Sequence, residues 1–166
     1  SSASAVFMDS YGLSQQQFAF AFALNAMGII LISACNKRLA NLFNVFQRLK
    51  IGGLIQVSGA IILLIAGFLS VAPIALVMFG MFLAVSGIGF TGPNAMAIAM
   101  AQQGARAGTA SAIMGSAQFA CGLVGGVILN FLLWGALLNM ALLMVLFTLS
   151  GLIAVFAVEK QLKLAV

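Results

Sequence analysis

The stretch IILLIAGFLSVAPIALVMFGMFLAV, residues 61–85, decides the fold. It is apolar on every side, whether drawn as a helix or as a strand, and its one interruption is Ser70-Val71-Ala72-Pro73. A membrane-barrel strand would alternate apolar with polar residues, whereas a helix satisfies its own backbone hydrogen bonds and needs no polar face to cross hydrocarbon. About 20 apolar residues suffice for a bilayer core about 30 Å thick at about 1.5 Å of rise per residue. The stretch therefore reads as the end of one spanning helix, a tight uncharged turn, and the start of the next. Pro73 falls in the first turn of that second helix, where its missing N–H costs nothing.

Outward from this hairpin the pattern repeats. Of 166 residues, 64% are hydrophobic and 5% charged, with no histidine, and the mean hydropathy is +1.23, values beyond what one soluble core requires. Five spans are expected, at residues 15–35, 51–71, 74–101, 108–132 and 136–158, forming a single all-α membrane domain, a polytopic helix bundle. Residues 1–14 read as the end of a truncated helix followed by an outer loop. They show no basic n-region with an apolar h-region, so they do not form a signal peptide. Ser14 followed by Gln17 is a capping-box pattern that opens the first span. The third span, about 28 residues or about 42 Å, exceeds the bilayer core, so it must bend or protrude. Gly92-Pro93 is the expected place, because a proline inside a helix removes one hydrogen bond and crowds the preceding turn.

The basic segment 36–50 is too charged to cross, since each Lys or Arg at mid-bilayer costs about 2.5–3.5 kcal/mol on the insertion scale. It is expected to be a surface loop. With five spans, Lys37, Arg38, Arg48, Lys50, Arg106, Lys160 and Lys163 all fall on one side, and the opposite side has no base. By the positive-inside rule that basic side is cytoplasmic, which puts the C-terminus inside and residue 1 near the outer face. A chain that begins outside without a signal is expected to follow further spans. The formal charge of +5 is explained by this topology rather than by nucleic acid.

With two acids and no histidine, no nucleophile triad, metal ligand set or pair of intramembrane carboxylates can be assembled, so neither enzyme activity, a metal nor a cofactor is expected. Cys35 and Cys121 stand apart, without a neighbouring ligand, and read as small packing residues. The intramembrane amides Asn25, Gln56, Asn94, Gln118 and Asn130 must each face another helix or a wet cavity. Among them, Asn25, Gln56, Asn94 and Gln118 are the candidates to line a substrate cavity. Small residues spaced four apart, Gly104 and Gly108, Ser111 and Gly115, Gly122 and Gly126, let a second helix approach closely or slide past. The aromatic and methionine residues read first as packing, with Phe and Met surfaces also suited to varied apolar ligands.

Two segments, DSYGLSQQQFAFAFALNAMGIIL (residues 9–31) and GFTGPNAMAIAMAQQGARAGTASAIMGSAQF (residues 89–119), resemble the C-terminal half of bicyclomycin-resistance type (Bcr/CflA) drug/proton antiporters of the major facilitator superfamily. The resemblance runs over essentially the whole chain. It implies the C-terminal six-helix half of that fold with its first helix mostly missing. It further implies a multi-pass protein of the bacterial inner membrane that exports small amphipathic drug-like molecules against protons by alternating access, rocking against an absent N-terminal half. In the family a loop of the form Gly-x-x-x-Asp-Arg-x-Gly-Arg-Arg recurs between helices. Here RLANLFNVFQRLK (residues 38–50) has Asn41, Leu42 and Asn44 at the Asp, Arg and Gly positions and keeps only the basic character. The antiporter motif Gly-Pro-x-x-Gly-Gly likewise lacks its proline in GLVGGVI (residues 122–128). On this reading Gly92 and Pro93 bend a helix near the cytoplasmic face, Gly104 and Gly108 permit the inner turn, and Arg106 holds that turn inside. Gly115, Gly122 and Gly126 then pack the following helix. The groups that couple protons are expected in the missing half. The rival expectations are a non-transporting scaffold or assembly subunit, or the inactive product of a truncated gene.

Overall fold

The computed structural model describes residues 4–69, 71–101 and 103–164. Ser70 and Gln102, which the sequence placed in turns, and the side chains of Asn130 and Lys163 lie outside the described residues. The chain is an all-helical bundle, with no strand among the described residues. A short π-helical segment, Ala5–Ser10, is followed by α1 (Gln15–Leu39), α2 (Val45–Phe68), α3 (Ile74–Ser86), α4 (Ile88–Met100), a 3-10 turn (Gly104–Arg106), α5 (Ala107–Phe131) and α6 (Ala136–Leu164). Counting α3 and α4 as one interrupted span, five helices among the described residues are long and apolar enough to cross a bilayer.

Local chemistry sets most of the boundaries. Ser14 accepts from the Gln17 amide at 3.3 Å while the Gln17 side chain accepts from the Ser14 amide at 3.0 Å, which completes the expected capping box of α1. Asn44 and Gln47 form the same reciprocal pair at the start of α2, at 2.9 Å each way. This second box shortens the expected basic loop at 36–50: α1 continues to Leu39 and α2 begins at Val45, so Lys37, Arg38, Arg48 and Lys50 sit on helix ends. Long basic side chains can extend from a helix end toward water, so charge at a terminus does not stop a helix as it would at mid-membrane.

The long third span is interrupted at Gly87, where α3 ends and α4 begins, and Pro93 lies inside α4. The break thus stands six positions ahead of the proline, not at Gly92-Pro93. A proline ring crowds the carbonyl four residues before it, here that of Gly89, so Pro93 does not by itself account for the break at Gly87. Gly104, between α4 and α5, adopts φ +41°, a conformation that favours glycine.

Helix α2 is central, packed against α3, α4 and α6, while α1 packs on α3 and α4. Glycines make the α2–α3 contact close. A Cβ built on Gly59 would lie 2.6 Å from the Gly80 carbonyl oxygen and 2.9 Å from Ala84 Cα, both backbone atoms of α3. A Cβ on Gly89 of α4 would lie 2.8 Å from the Ile29 carbonyl oxygen of α1. Such contacts substitute backbone dispersion for side-chain packing, the usual way membrane helices associate when water supplies no driving force between them. Val6 and Phe7 are buried with Leu63, Val77, Met81 and Met140 in a cluster joining the N-terminal segment to α2, α3 and α6. Many outward-facing positions on the spans are apolar: Phe119 is 84% and Leu123 73% exposed, exposures that hydrocarbon tolerates and water would penalise.

Candidate functional site

The two ends of the bundle differ in chemistry. At one end the Tyr11 hydroxyl donates to the Ala72 carbonyl at 2.9 Å, and Trp134, 59% exposed, flanks an open recess of about 490 Å³ with Tyr11, Val71 and Gly135. Amphipathic rings of this kind suit the membrane–water boundary. Partial burial raises the Tyr11 hydroxyl above its ordinary pKa, which keeps it protonated as a donor.

The opposite end gathers the bases. Lys50 of α2 pairs with Glu159 of α6 and lies 4.5 Å over the Phe156 ring. Beside it, the Asn36 side-chain oxygen of α1 accepts from Arg48 Nη1 at 3.1 Å and from Asn94 Nδ2 of α4 at 2.9 Å. Asn94 Nδ2 also donates to the Phe90 carbonyl at 2.7 Å. Three helices, the neighbours α1 and α2 and the more distant α4, are thereby tied through one neutral oxygen. Arg48 Nε is buried without a partner among the described residues.

Between these ends lies an apolar cavity of about 230 Å³, lined by Phe7, Phe18, Ala21, Phe22, Asn25, Ala26, Ile29, Met81 and Val85. It is bounded by the N-terminal segment, α1 and α3. Asn25 supplies the polar side chain, and three phenylalanines, one methionine and four smaller aliphatic residues supply the rest. Such a wall holds a small apolar or amphipathic molecule by shape and offers one hydrogen-bonding group to orient it.

The structure does not gather the four candidate amides into one site. Asn25 lines the cavity. Asn94 is 2% exposed and engaged with Asn36 and Phe90 at the basic end. Gln56 is half-buried in the seam where α2 passes Gly87, and Gln118 is exposed on α5. Among the small residues, Gly92 has only Ile88 near its Cβ position, at 3.8 Å, and a Cβ at Gly104, Gly108, Gly115, Gly122 or Gly126 would meet no atom within 4 Å. Of the glycines on α5, Gly125 faces a neighbour, the Phe147 ring of α6 at 3.3 Å. Arg106 is exposed at the start of α5. Most of α5 therefore presents small and apolar residues outward, and its contacts with the bundle are sparse.

Two buried amides escaped the sequence reading. Asn36 stood in the segment assigned to the basic loop. Asn139, on α6, donates from Nδ2 to the Leu132 carbonyl at 2.8 Å and so satisfies the end of α5. The signal for both was an amide next to a span boundary, where a capping or tethering role is common.

The chain is 30% identical over 110 residues, 66% of its length, to the uncharacterized MFS-type transporter YdgK of Bacillus subtilis (strain 168). The matched segment spans 27% of that relative's length. No family model matches the chain, and no solved structure matches it. The likeness, together with five apolar helices, supports an MFS-like multi-pass membrane protein.

Proposed function

We propose that this chain forms part of a membrane transporter, and that the cavity around Asn25 is the portion of the substrate path it contributes. The cavity carries this reading: it is apolar, has one amide, and opens between helices rather than within one. The similarity to an MFS-type transporter supports it. The substrate class that suits such a wall is small, amphipathic and drug-like, and the cycle is alternating access with export against protons across the bacterial inner membrane. The spans hold no carboxylate or histidine to relay a proton, as Glu159 is paired with Lys50 at a helix end. Coupling groups therefore belong to helices beyond this chain, and α5 is the face against which such helices would pack.

Ala21→Trp tests the reading by filling the cavity. Expressed together with the helices that complete the transporter, in cells lacking other exporters, the variant is expected to reach the membrane at the wild-type level. Efflux of a lipophilic cationic dye should fall at least about ten-fold, the effect of losing a pocket worth about 1.4 kcal/mol or more. Unchanged efflux would refute the assignment of the cavity and favour a scaffold whose α5 face binds another protein's helix.

Orientation has its own test. With Cys35 and Cys121 replaced, single cysteines at Gly135 and Val71 are expected to react with a membrane-impermeant thiol reagent on intact cells, and cysteines at Asn41 and Gln161 only after lysis. Labelling of Asn41 on intact cells would reverse the proposed cytoplasmic placement of the basic end and of the C-terminus.

A further inference from the structure

The basic end carries positive charge that the protein does not neutralise. The sequence places seven bases there against one acid, Glu159, and Glu159 is engaged by Lys50. Arg48 is half-buried, and its guanidinium is bonded to a neutral amide oxygen, that of Asn36. Lys37 and Arg38 are exposed on the last turn of α1, and Arg48, held to Asn36, stands on the first turn of α2, so three cations flank the α1–α2 turn at the same end of the bundle. That corner is also where α2 starts, and the positive end of its dipole adds to the field. The turn joining α1 to α2 meanwhile exposes apolar side chains, Leu42 at 75% and Phe43 at 38%. The backbone that carries them is closed into a turn, because the Leu42 and Phe43 amides donate to the Leu39 carbonyl at 3.0 and 2.9 Å.

A half-buried cation with neutral partners retains most of its desolvation cost, and an anion beside it would relieve that cost. Soluble anions would satisfy the bases but leave Leu42 and Phe43 in water. A phospholipid supplies both chemistries at the correct depth, since helix ends of spanning segments lie at the level of the lipid phosphates. We propose that the corner formed by Lys37, Arg38 and Arg48 holds the headgroup phosphate of an anionic phospholipid, with Leu42 and Phe43 against its glycerol and upper acyl region. The occupant is an anionic lipid rather than a zwitterionic one because the corner has cations in excess and no described carboxylate left to receive a choline or ethanolamine nitrogen. This assignment requires membrane insertion alone and stands apart from the transport reading.

The test is lipid retention by the full chain, purified from discs containing phosphatidylglycerol and phosphatidylcholine in equal amounts and read by native mass spectrometry. The wild type is expected to retain phosphatidylglycerol in preference. Because a base near a charged surface contributes about five-fold in affinity, Lys37→Gln with Arg38→Gln should lower that preference about thirty-fold. Both side chains are exposed and neither is hydrogen-bonded to the core, so the double variant should melt in pure phosphatidylcholine discs at the wild-type temperature, which shows that it folds. Leu42→Ser with Phe43→Ser should weaken retention of both lipids while leaving the preference in place. Equal retention of the two lipids by the wild type would overturn the proposal, as would a preference that survives in the Lys37/Arg38 double variant. Displacement of the retained lipid by an equimolar amount of inorganic phosphate would assign the corner to a free anion and overturn it as well.

Discussion

Asn36→Leu is expected to destabilise the bundle by about 1–3 kcal/mol, the range for leaving a buried polar group without its hydrogen-bond partner. The Asn36 oxygen accepts from both Arg48 and Asn94, but the two losses are unequal. Asn94 keeps its bond to the Phe90 carbonyl, whereas the Arg48 guanidinium, whose Nε already lacks a partner, loses its acceptor. Most of the cost therefore comes from the stranded cation. Arg48→Met removes that cation together with its need for an acceptor, so alone it should cost about 1 kcal/mol, the net worth of an ordinary hydrogen bond. Combined with Asn36→Leu, it should recover more than half of the loss. Reversible unfolding in mixed micelles across this double-mutant cycle reads the coupling directly. An Asn36→Leu variant as stable as the wild type, or a double variant no better than Asn36→Leu, would show that the three-helix tie has no energetic role.

Gly59→Leu and Gly122→Leu form the second pair, identical in chemistry and opposite in expected outcome. At Gly59 the new Cβ lands against the backbone of α3, at Gly80 and Ala84. A side chain in the way could rotate, but a helix backbone cannot, so α2 and α3 must separate. Overpacking typically costs about 1–3 kcal/mol and more when nothing can yield, and α2 is the helix on which α3, α4 and α6 all rest. The variant should fail to accumulate as a monodisperse species in size-exclusion chromatography. At Gly122 a Cβ meets no atom within 4 Å, and leucine is the better helix former by close to 1 kcal/mol. That variant should accumulate at least as well as the wild type. If helices outside this chain cover α5, the same substitution should abolish transport in the completed protein. Wild-type accumulation of Gly59→Leu would contradict the α2–α3 contact itself.

Glycine spacing alone pointed the other way. Gly122 and Gly126 have the four-residue interval that marks close helix approach, and Gly59 and Gly80 stand on separate helices with no such interval between them. The interval reports that a smooth face exists, and α5 does have one. It does not report whether another helix of the chain lies against that face. The amides show the same limit. Asn25 and Asn94 are indistinguishable as single polar residues in apolar runs, yet one lines a cavity and the other is consumed by a hydrogen bond to Asn36, 58 positions away. The interruption stands at Gly87 rather than at the expected Gly92-Pro93, two positions ahead of the Gly89 carbonyl that the proline ring crowds. The capping box at Asn44 and Gln47 had the same signature as the one at Ser14 and Gln17, but the surrounding bases suggested a loop.

What the amino-acid sequence determined by itself was the all-helical class, the five apolar spans, and the gathering of the bases at one end. These follow from local quantities: the length of an apolar run, the transfer cost of each charge, and the residues able to cap a first turn. Only the tertiary structure decided which glycines are pressed against backbone, which amides are already satisfied, and where a cavity remains. Those depend on distances between residues far apart along the chain, set by how five helices with nearly interchangeable apolar surfaces pack together. Hydropathy cannot distinguish among such packings, because lipid solvates the unpaired face of a helix about as well as another helix does.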